Sequence, residues 1–413
     1  MKKIRTVAAA LVVTGAMLLT GCGSNNDRGG TGGNATDANA GSTADTSALT
    51  QCLKKASDAV SLEGAGGATS TITPSTGFEA GSLIGVSLPQ KTSQNWVEAE
   101  GMFNEQLTAA GYQPVVQFAT NGVSDQQNQI TAMITQGVKV LVVGAVDGSQ
   151  LGGQLDQAKA AGVTVIAYDR LLMKTESIDM YVAYDNFKVG QLQGKAVVEG
   201  MMATQGEPPY NVELLAGSPD DANSKPFFEG GMSVIQPAID CGAIKVLSGQ
   251  TTQQQAATQG WLAANAQKRM DTILSANYTD AKLNGILSPN DTLARAAIAS
   301  LDAAGKADEK TVISGQDSET ASIPLIMKGT QYMTIYKDTS GLVKEIVKVI
   351  GELQKGQPVT VNDTETYDNG TKIVPTDLLT PILVTAENAK KVYANDPTRE
   401  PCTADPAPAE CNG

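Results

Sequence analysis

Apolar residues along this chain follow two spacings. Short runs rich in Val, Ile and Ala, at 83–88, 114–119, 139–145, 163–168 and 180–184, read as strands buried on both faces of a parallel sheet. The intervals between the first four carry apolar side chains at helical spacing: Trp96, Met102, Phe103 and Leu107, then Ile130, Met133 and Ile134, then Leu151, Leu155 and Ala158. Gly111, Gly137 and Gly162 each follow one of these helices, where a C-terminal cap is expected. A second series starts after a helical pattern over 187–202, with strand runs at 211–216, 244–248, 285–288 and 312–314 and helices over 227–239, 262–274 and 293–303. Beyond Asp317 the pattern predicts a helix over 322–328, a strand over 331–336, a long helix over 342–353 and a last apolar stretch at 378–384. The fold class is therefore α/β, with two consecutive doubly wound parallel-sheet halves and a cleft between their strand ends.

The stretch 162–186 shows what that cleft offers. Its first strand stops at Tyr168-Asp169-Arg170, and the next, Tyr181-Val182-Ala183-Tyr184, stops at Asp185-Asn186. Carboxyl ends of parallel strands are where open α/β sheets bind ligands. Other strands end alike: Gln94-Asn95-Trp96, Asp147, Asp221 and Asn223, Asn290-Asp291, Gln316-Asp317 and Lys337-Asp338. This set suits a neutral polyol, because a carboxylate accepts from two hydroxyls while Asn, Arg and Lys donate to hydroxyl and ring oxygens. Trp96 can lie against the C–H face of a pyranose. Each residue also has a plainer reading: Asp169-Arg170 as an ion pair at the cleft edge, Asp221 and Asn290 as helix N-caps, Trp96 as core.

Composition narrows the chemistry. The chain has no His, which removes the usual general base and the commonest transition-metal ligand, and no metal site or cofactor is expected. Neither glycine-rich phosphate-binding motif is present. Residues 1–22 read as a leader: Lys2, Lys3 and Arg5, an apolar run over 6–19, then Leu19-Thr20-Gly21-Cys22, a lipobox-like ending that predicts lipidation of Cys22 and an extracytoplasmic, membrane-tethered protein. Without those three cations, 27 basic residues face 43 acidic ones, a net charge near −16 that repels nucleic acid. Residues 23–81 read as a flexible low-complexity linker, with a brief helical pattern over 48–59, and compact folding is expected from Ser82. Four cysteines remain, allowing three pairings; a local Cys402–Cys411 loop in the Pro/Ala-rich tail 394–413, together with Cys52–Cys241, is preferred.

Several motifs carry a resemblance: V-I-A-Y-D-R (165–170), Y-D-N-F-K-V-G-Q-L-Q (184–193), G-S-P-D-D-A-N (217–223), S-G-Q-D (314–317), Y-K-D-T (336–339), N-D-T-E-T-Y-D-N-G (362–370) and V-P-T-D-L-L-T-P (374–381). Over roughly 83–392 the chain resembles the periplasmic binding protein type I family, in its xylose-binding and multiple-sugar-binding branch serving ABC importers. The resemblance implies two Rossmann-like subdomains joined by three crossovers, assigned here as 82–184 plus 318–336 and 185–317 plus 337–393, with crossovers near Asp185-Asn186, Asp317-Ser318 and Tyr336–Asp338. It also implies a stacking role for Trp96 and sugar contacts by Asp169, Arg170, Asp221, Asn223, Asn290, Asp317 and Lys337. The family commonly has Arg before the stacking Trp, whereas this chain has Asn95, so the preferred sugar and anomer do not carry over.

The reading that follows is a lipid-anchored, monomeric solute receptor, not an enzyme, that captures a monosaccharide such as xylose, galactose, glucose or arabinose and delivers it to an ABC permease. Two rivals are a subunit presenting sugar to a membrane receptor kinase and a carbohydrate-active enzyme using paired carboxylates.

Overall fold

The computed structural model describes residues 45–62, 69–73, 77–91 and 93–411. The leader, Cys22 and the linker before residue 45 lie outside the described residues. Among the described residues no helix is long and apolar enough to cross a membrane.

Two parallel sheets organise the chain. The larger runs Thr376–Leu379, Met180–Tyr184, Thr164–Tyr168, Val140–Val143, Leu83–Leu88, Gln113–Phe118, all parallel. Its central strands are buried along their whole length, because helices cover both faces. The smaller runs Val312–Ile313, Gly285–Leu287, Tyr210–Leu214, Ile244–Lys245, again parallel. Helix punctuation follows local chemistry. Gly137 closes the helix Val123–Gln136 at φ 87°, a conformation that costs an L side chain but not glycine. Asp185 caps Asn186–Thr204 by accepting from the Lys188 amide at 3.0 Å, and Asp338 caps Thr339–Gln354 through the Ser340 amide at 2.9 Å.

Three late segments sit opposite to the assignment made from sequence, while Ile382–Thr385 lies in the second half as assigned. Met333 and Ile335, expected in the first half, pack into the core of the smaller sheet. The helix Thr339–Gln354 and the strand Thr376–Leu379, expected in the second half, complete the larger one: the helix packs on Gln94–Ala109 and the strand pairs with Met180–Tyr184. The apolar stretch 378–384 is two strands in different sheets, since Ile382–Thr385 pairs antiparallel with Met333–Tyr336. Pro381 separates them, and its missing amide ends the first strand's ladder. The chain therefore crosses between halves at Asp185, at 337–338 and at 380–381, not at Asp317-Ser318. These crossings are neighbours: the Tyr184 hydroxyl donates to the Asp338 carbonyl at 3.0 Å, and the Asp185 amide donates to the Leu379 carbonyl at 3.3 Å.

Two segments read as linker and tail are packed. Helix Thr46–Asp58 buries Leu49 and Leu53 against the second half and is joined to it by the Cys52–Cys241 disulfide, so ordered structure begins well before Ser82. A strand at Ser70–Ile72 pairs with Val359–Val361. The tail holds the Cys402–Cys411 disulfide, and both cysteines are buried with Ile323, Tyr336, Val384 and Tyr393.

Helices Asn186–Thr204 and Ser224–Asp240 are in close contact because glycines face each other. A Cβ on Gly190 would stand 2.0 Å from the Phe227 carbonyl oxygen, and one on Gly230 would stand 2.1 Å from that of Phe187. Gly190→Ala must push two backbones apart, so it should lower unfolding free energy by about 1–3 kcal/mol in a denaturant titration. Gly152→Ala, whose Cβ meets nothing within 4 Å, serves as the control and should leave stability within about 0.5 kcal/mol. Equal effects of the two would contradict the close packing.

Candidate functional site

The two halves enclose a small cavity at the carboxyl ends of both sheets, with about 30 Å³ open to the centres of water-sized spheres. The first half lines it with Ser93, Asn95, Trp96, Asp169 and Arg170, the second with Asp221, Asn223, Phe227, Trp261, Asn290, Gln316 and Asp317, and Lys337 enters from a crossing. Nine of the strand-end residues singled out by sequence line this space: Asn95, Trp96, Asp169, Arg170, Asp221, Asn223, Asn290, Asp317 and Lys337.

The ion pairs differ from the adjacent pair read from sequence. Asp169 and Arg170 do not pair with each other; Arg170 Nε lies 2.9 Å from Asp221 Oδ2 in the opposite half. Lys337 Nζ lies 3.0 Å from Asp317 Oδ1 and 3.8 Å from Asp169 Oδ2. Arg170 also donates to the Ala145 carbonyl at 3.0 Å and stands 5.3 Å over the Trp96 ring. Asp169 has φ 61° and Asp317 φ 88°, a left-handed backbone that aspartate tolerates better than most residues. Such sparsely populated backbone conformations cluster at functional sites.

Burial sets the electrostatics. Burial pushes the Asp169 carboxyl above the usual aspartate range, as does repulsion from Asp221 and Asp317, while Lys337 opposes the shift. Burial also penalises the Lys337 ammonium, but Asp317 and Asp169 outweigh this and hold its pKa above the ordinary lysine value. Three carboxylates thus face two cations, and both cations are already engaged.

Amides and aromatic rings complete the wall. Asn223 Nδ2 donates to the Asp169 carbonyl at 2.8 Å across the cleft, and the Tyr181 hydroxyl donates to the same oxygen at 2.5 Å. Asp221 accepts from the Asn223 amide at 2.9 Å and from Trp261 Nε1 at 3.1 Å, so it does not cap a helix. Asn290 does cap one, accepting from the Leu293 amide at 2.9 Å, in agreement with its plainer reading, while still lining the cavity. Asp147 is not at the site; it closes its own turn with Ser149 and Gln150. Two carbonyl oxygens in the wall, Asn95 Oδ1 and Gln316 Oε1, are buried without a hydrogen-bond partner. Unmatched buried acceptors cost about 1–3 kcal/mol each, so a ligand hydroxyl delivered there is rewarded.

Phe227, Trp261, Ser93 and Gln316 were not among the nine. Gln316 stood beside Asp317 at a named strand end, and Phe227 was visible only as a helical core position. Trp261 follows Gly260 at a helix start, and the pair adopts φ 68° and φ 56°. Gly217 makes room for it, since a Cβ there would lie 2.2 Å from the indole. An aromatic after glycine between two helical patterns was the available signal.

Trp96 is both wall and core. It is 3% exposed and meets Tyr168 edge-on at 6.0 Å. Trp96→Ala should therefore lower unfolding free energy by about 3–5 kcal/mol, whatever it does to ligand affinity. Unchanged stability in a denaturant titration would contradict the core role.

The comparisons agree with this architecture. A family model described as periplasmic binding protein domain matches residues 84–358. The multiple sugar-binding periplasmic receptor ChvE of Rhizobium radiobacter is 43% identical over 312 residues, covering 75% of this chain and 88% of that protein. The D-xylose-binding periplasmic protein of Escherichia coli (strain K12) is 37% identical over 313 residues, covering 76% and 89%. An ABC transporter solute binding protein from Clostridium phytofermentans, solved with bound β-D-glucose, superposes with TM-score 0.73 at 35% identity, covering 80% of this chain and 100% of that one. With its two parallel-sheet halves, the chain belongs to the periplasmic binding protein family, type I, and is a binding protein rather than an enzyme.

Proposed function

We propose that this protein captures one neutral monosaccharide in the cleft and delivers it to the membrane permease of an ABC importer. The observation that carries the reading is the cavity wall: carboxylates, amides and two engaged cations, with aromatic rings beside them, at the junction of the two halves. Asp169, Asp221 and Asp317 accept from sugar hydroxyls, Arg170, Lys337, Asn223 and Asn290 donate, Asn95 and Gln316 take the remaining hydroxyls, and Trp96 and Trp261 supply apolar faces. Sugars named for the relatives, including xylose and glucose, support a pentose or hexose. The lipobox-like Leu19–Cys22 sequence supports tethering through Cys22 at the outer face of the cell membrane. The three neighbouring, hydrogen-bonded crossings support a hinge there, and with it a delivery cycle in which the closed form is the one presented.

The charge balance selects among sugars. No cation in the wall is free to meet a carboxylate, and the net charge of its ionisable side chains is negative when all are ionised. Calorimetry at neutral pH should therefore show binding of xylose, glucose, galactose or arabinose and at least about a hundredfold weaker binding of the matching uronic acid, since an unpaired buried charge costs more than about 3 kcal/mol. Equal affinity for sugar and uronate would sink the charge argument; no binding across the panel would sink the function.

Acidification gives a second test. Protonated Asp169 loses an acceptor, so affinity should fall as pH drops through its pKa, starting above the ordinary aspartate range because burial has raised that pKa. Asp169→Asn should weaken binding by about 1.5–3 kcal/mol and flatten this pH dependence. A variant with wild-type affinity and an unchanged pH profile would remove Asp169 from the site.

A further inference from the structure

The tail beyond the matched span 84–358 has so far only a fold. One of its side chains reaches across the cleft. Arg399 is 3% exposed and spends its guanidinium on three directions. Its Nε donates to the Ser318 carbonyl at 2.8 Å, its Nη1 to Asp396 Oδ2 at 3.0 Å, and its Nη2 to Glu98 Oε2 at 2.9 Å. Ser318 follows the cavity residue Asp317 and belongs to the second half, whereas Glu98 lies on the helix Gln94–Ala109 of the first, one turn after Asn95 and Trp96. The tail is fixed to the second half independently of the cleft: Asp396 accepts from the Tyr336 hydroxyl at 2.9 Å, Tyr393 donates to Ser318 Oγ at 2.7 Å, and the Cys402–Cys411 loop is buried beside them. Glu98 is braced on its own side by Gln94 Nε2 at 2.7 Å, and Gln94 Oε1 in turn accepts from the Thr320 amide at 2.8 Å and hydroxyl at 3.0 Å in the second half.

We propose that Arg399 is a positioning residue of the cleft: the disulfide-tied tail holds its guanidinium against Glu98 when the halves close, and so sets how tightly and how long the ligand is held. This rests on the reading of the cleft as a sugar site. Arg399 does not line the cavity and touches no ligand position. Its contribution enters through the closed state alone, because opening separates it from Glu98 while its bonds to Ser318 and Asp396 stay intact. A contact present in only one of two states shifts their balance by its full differential energy.

Glu98→Gln in the full-length chain is the direct test, because it keeps the shape and leaves the tail's own bonds untouched. Charge-assisted hydrogen bonds at the low end of their range correspond to about a tenfold effect. The sugar Kd of Glu98→Gln should rise about tenfold, mostly through faster dissociation in stopped-flow displacement, with the melting temperature of the ligand-free protein unchanged. Arg399→Gln should weaken binding similarly, and the double variant should be no weaker than Arg399→Gln alone; Arg399→Lys should restore part of the affinity. Wild-type dissociation rates in Glu98→Gln, or additive losses in the double variant, would overturn the proposal. A wild-type chain that binds no sugar would instead overturn the parent reading and the positioning role with it.

Discussion

The buried charge arrangement around Lys337 is what the rest of the cleft depends on. An ammonium withdrawn from water is costly unless partners restore what solvation supplied, and here Asp317 at 3.0 Å and Asp169 at 3.8 Å do so from opposite halves. Arg170 and Asp221 repeat the pattern beside it, with the cation and carboxylate again contributed by different halves. The junction of the halves therefore holds neutralising pairs rather than isolated buried charges. The cavity left between them keeps acceptors, amides and rings for a ligand, but no spare cation.

That arrangement requires an unusual chain path. Lys337 stands at a crossing, between a strand packed on the smaller sheet and a helix packed on the larger. Asp185 and Asp338 each mark a crossing and also cap the helix that follows, so the chain changes halves and starts a helix within two residues. The crossings bond to one another, so the three chain passages between the halves stand side by side. Arg399 adds a further contact between the halves, far along the chain from its partner Glu98.

Much of this was legible in the sequence. The two β-α series, their glycine punctuation and the polar strand ends depend on local period and turn chemistry, and those features located nine of the thirteen residues that line the cavity. What was not legible depended on long-range packing. Nothing local tells the strand 333–336 to pack with the smaller sheet and the helix 339–354 with the larger; only the facing cores decide, and the assignment from sequence had them reversed. The single apolar run 378–384 likewise hid a change of sheet at Pro381. Trp261 escaped notice because its aim depends on a left-handed turn and on space beside Gly217. The tail looked structureless in composition, yet a short disulfide loop, a buried arginine and the buried Tyr393 pack it in place.

The most direct test of the central claim is a crystal structure of the protein with its tightest-binding monosaccharide. The account predicts a single pyranose or furanose ring between Asp169 and Asp317, with hydroxyls within about 3 Å of Asn95 Oδ1 and Gln316 Oε1, where buried acceptors now lack partners. A sugar seated instead in the wider groove beside Asp147, Lys174 and Tyr367, with the charged cavity left unaltered, would contradict it.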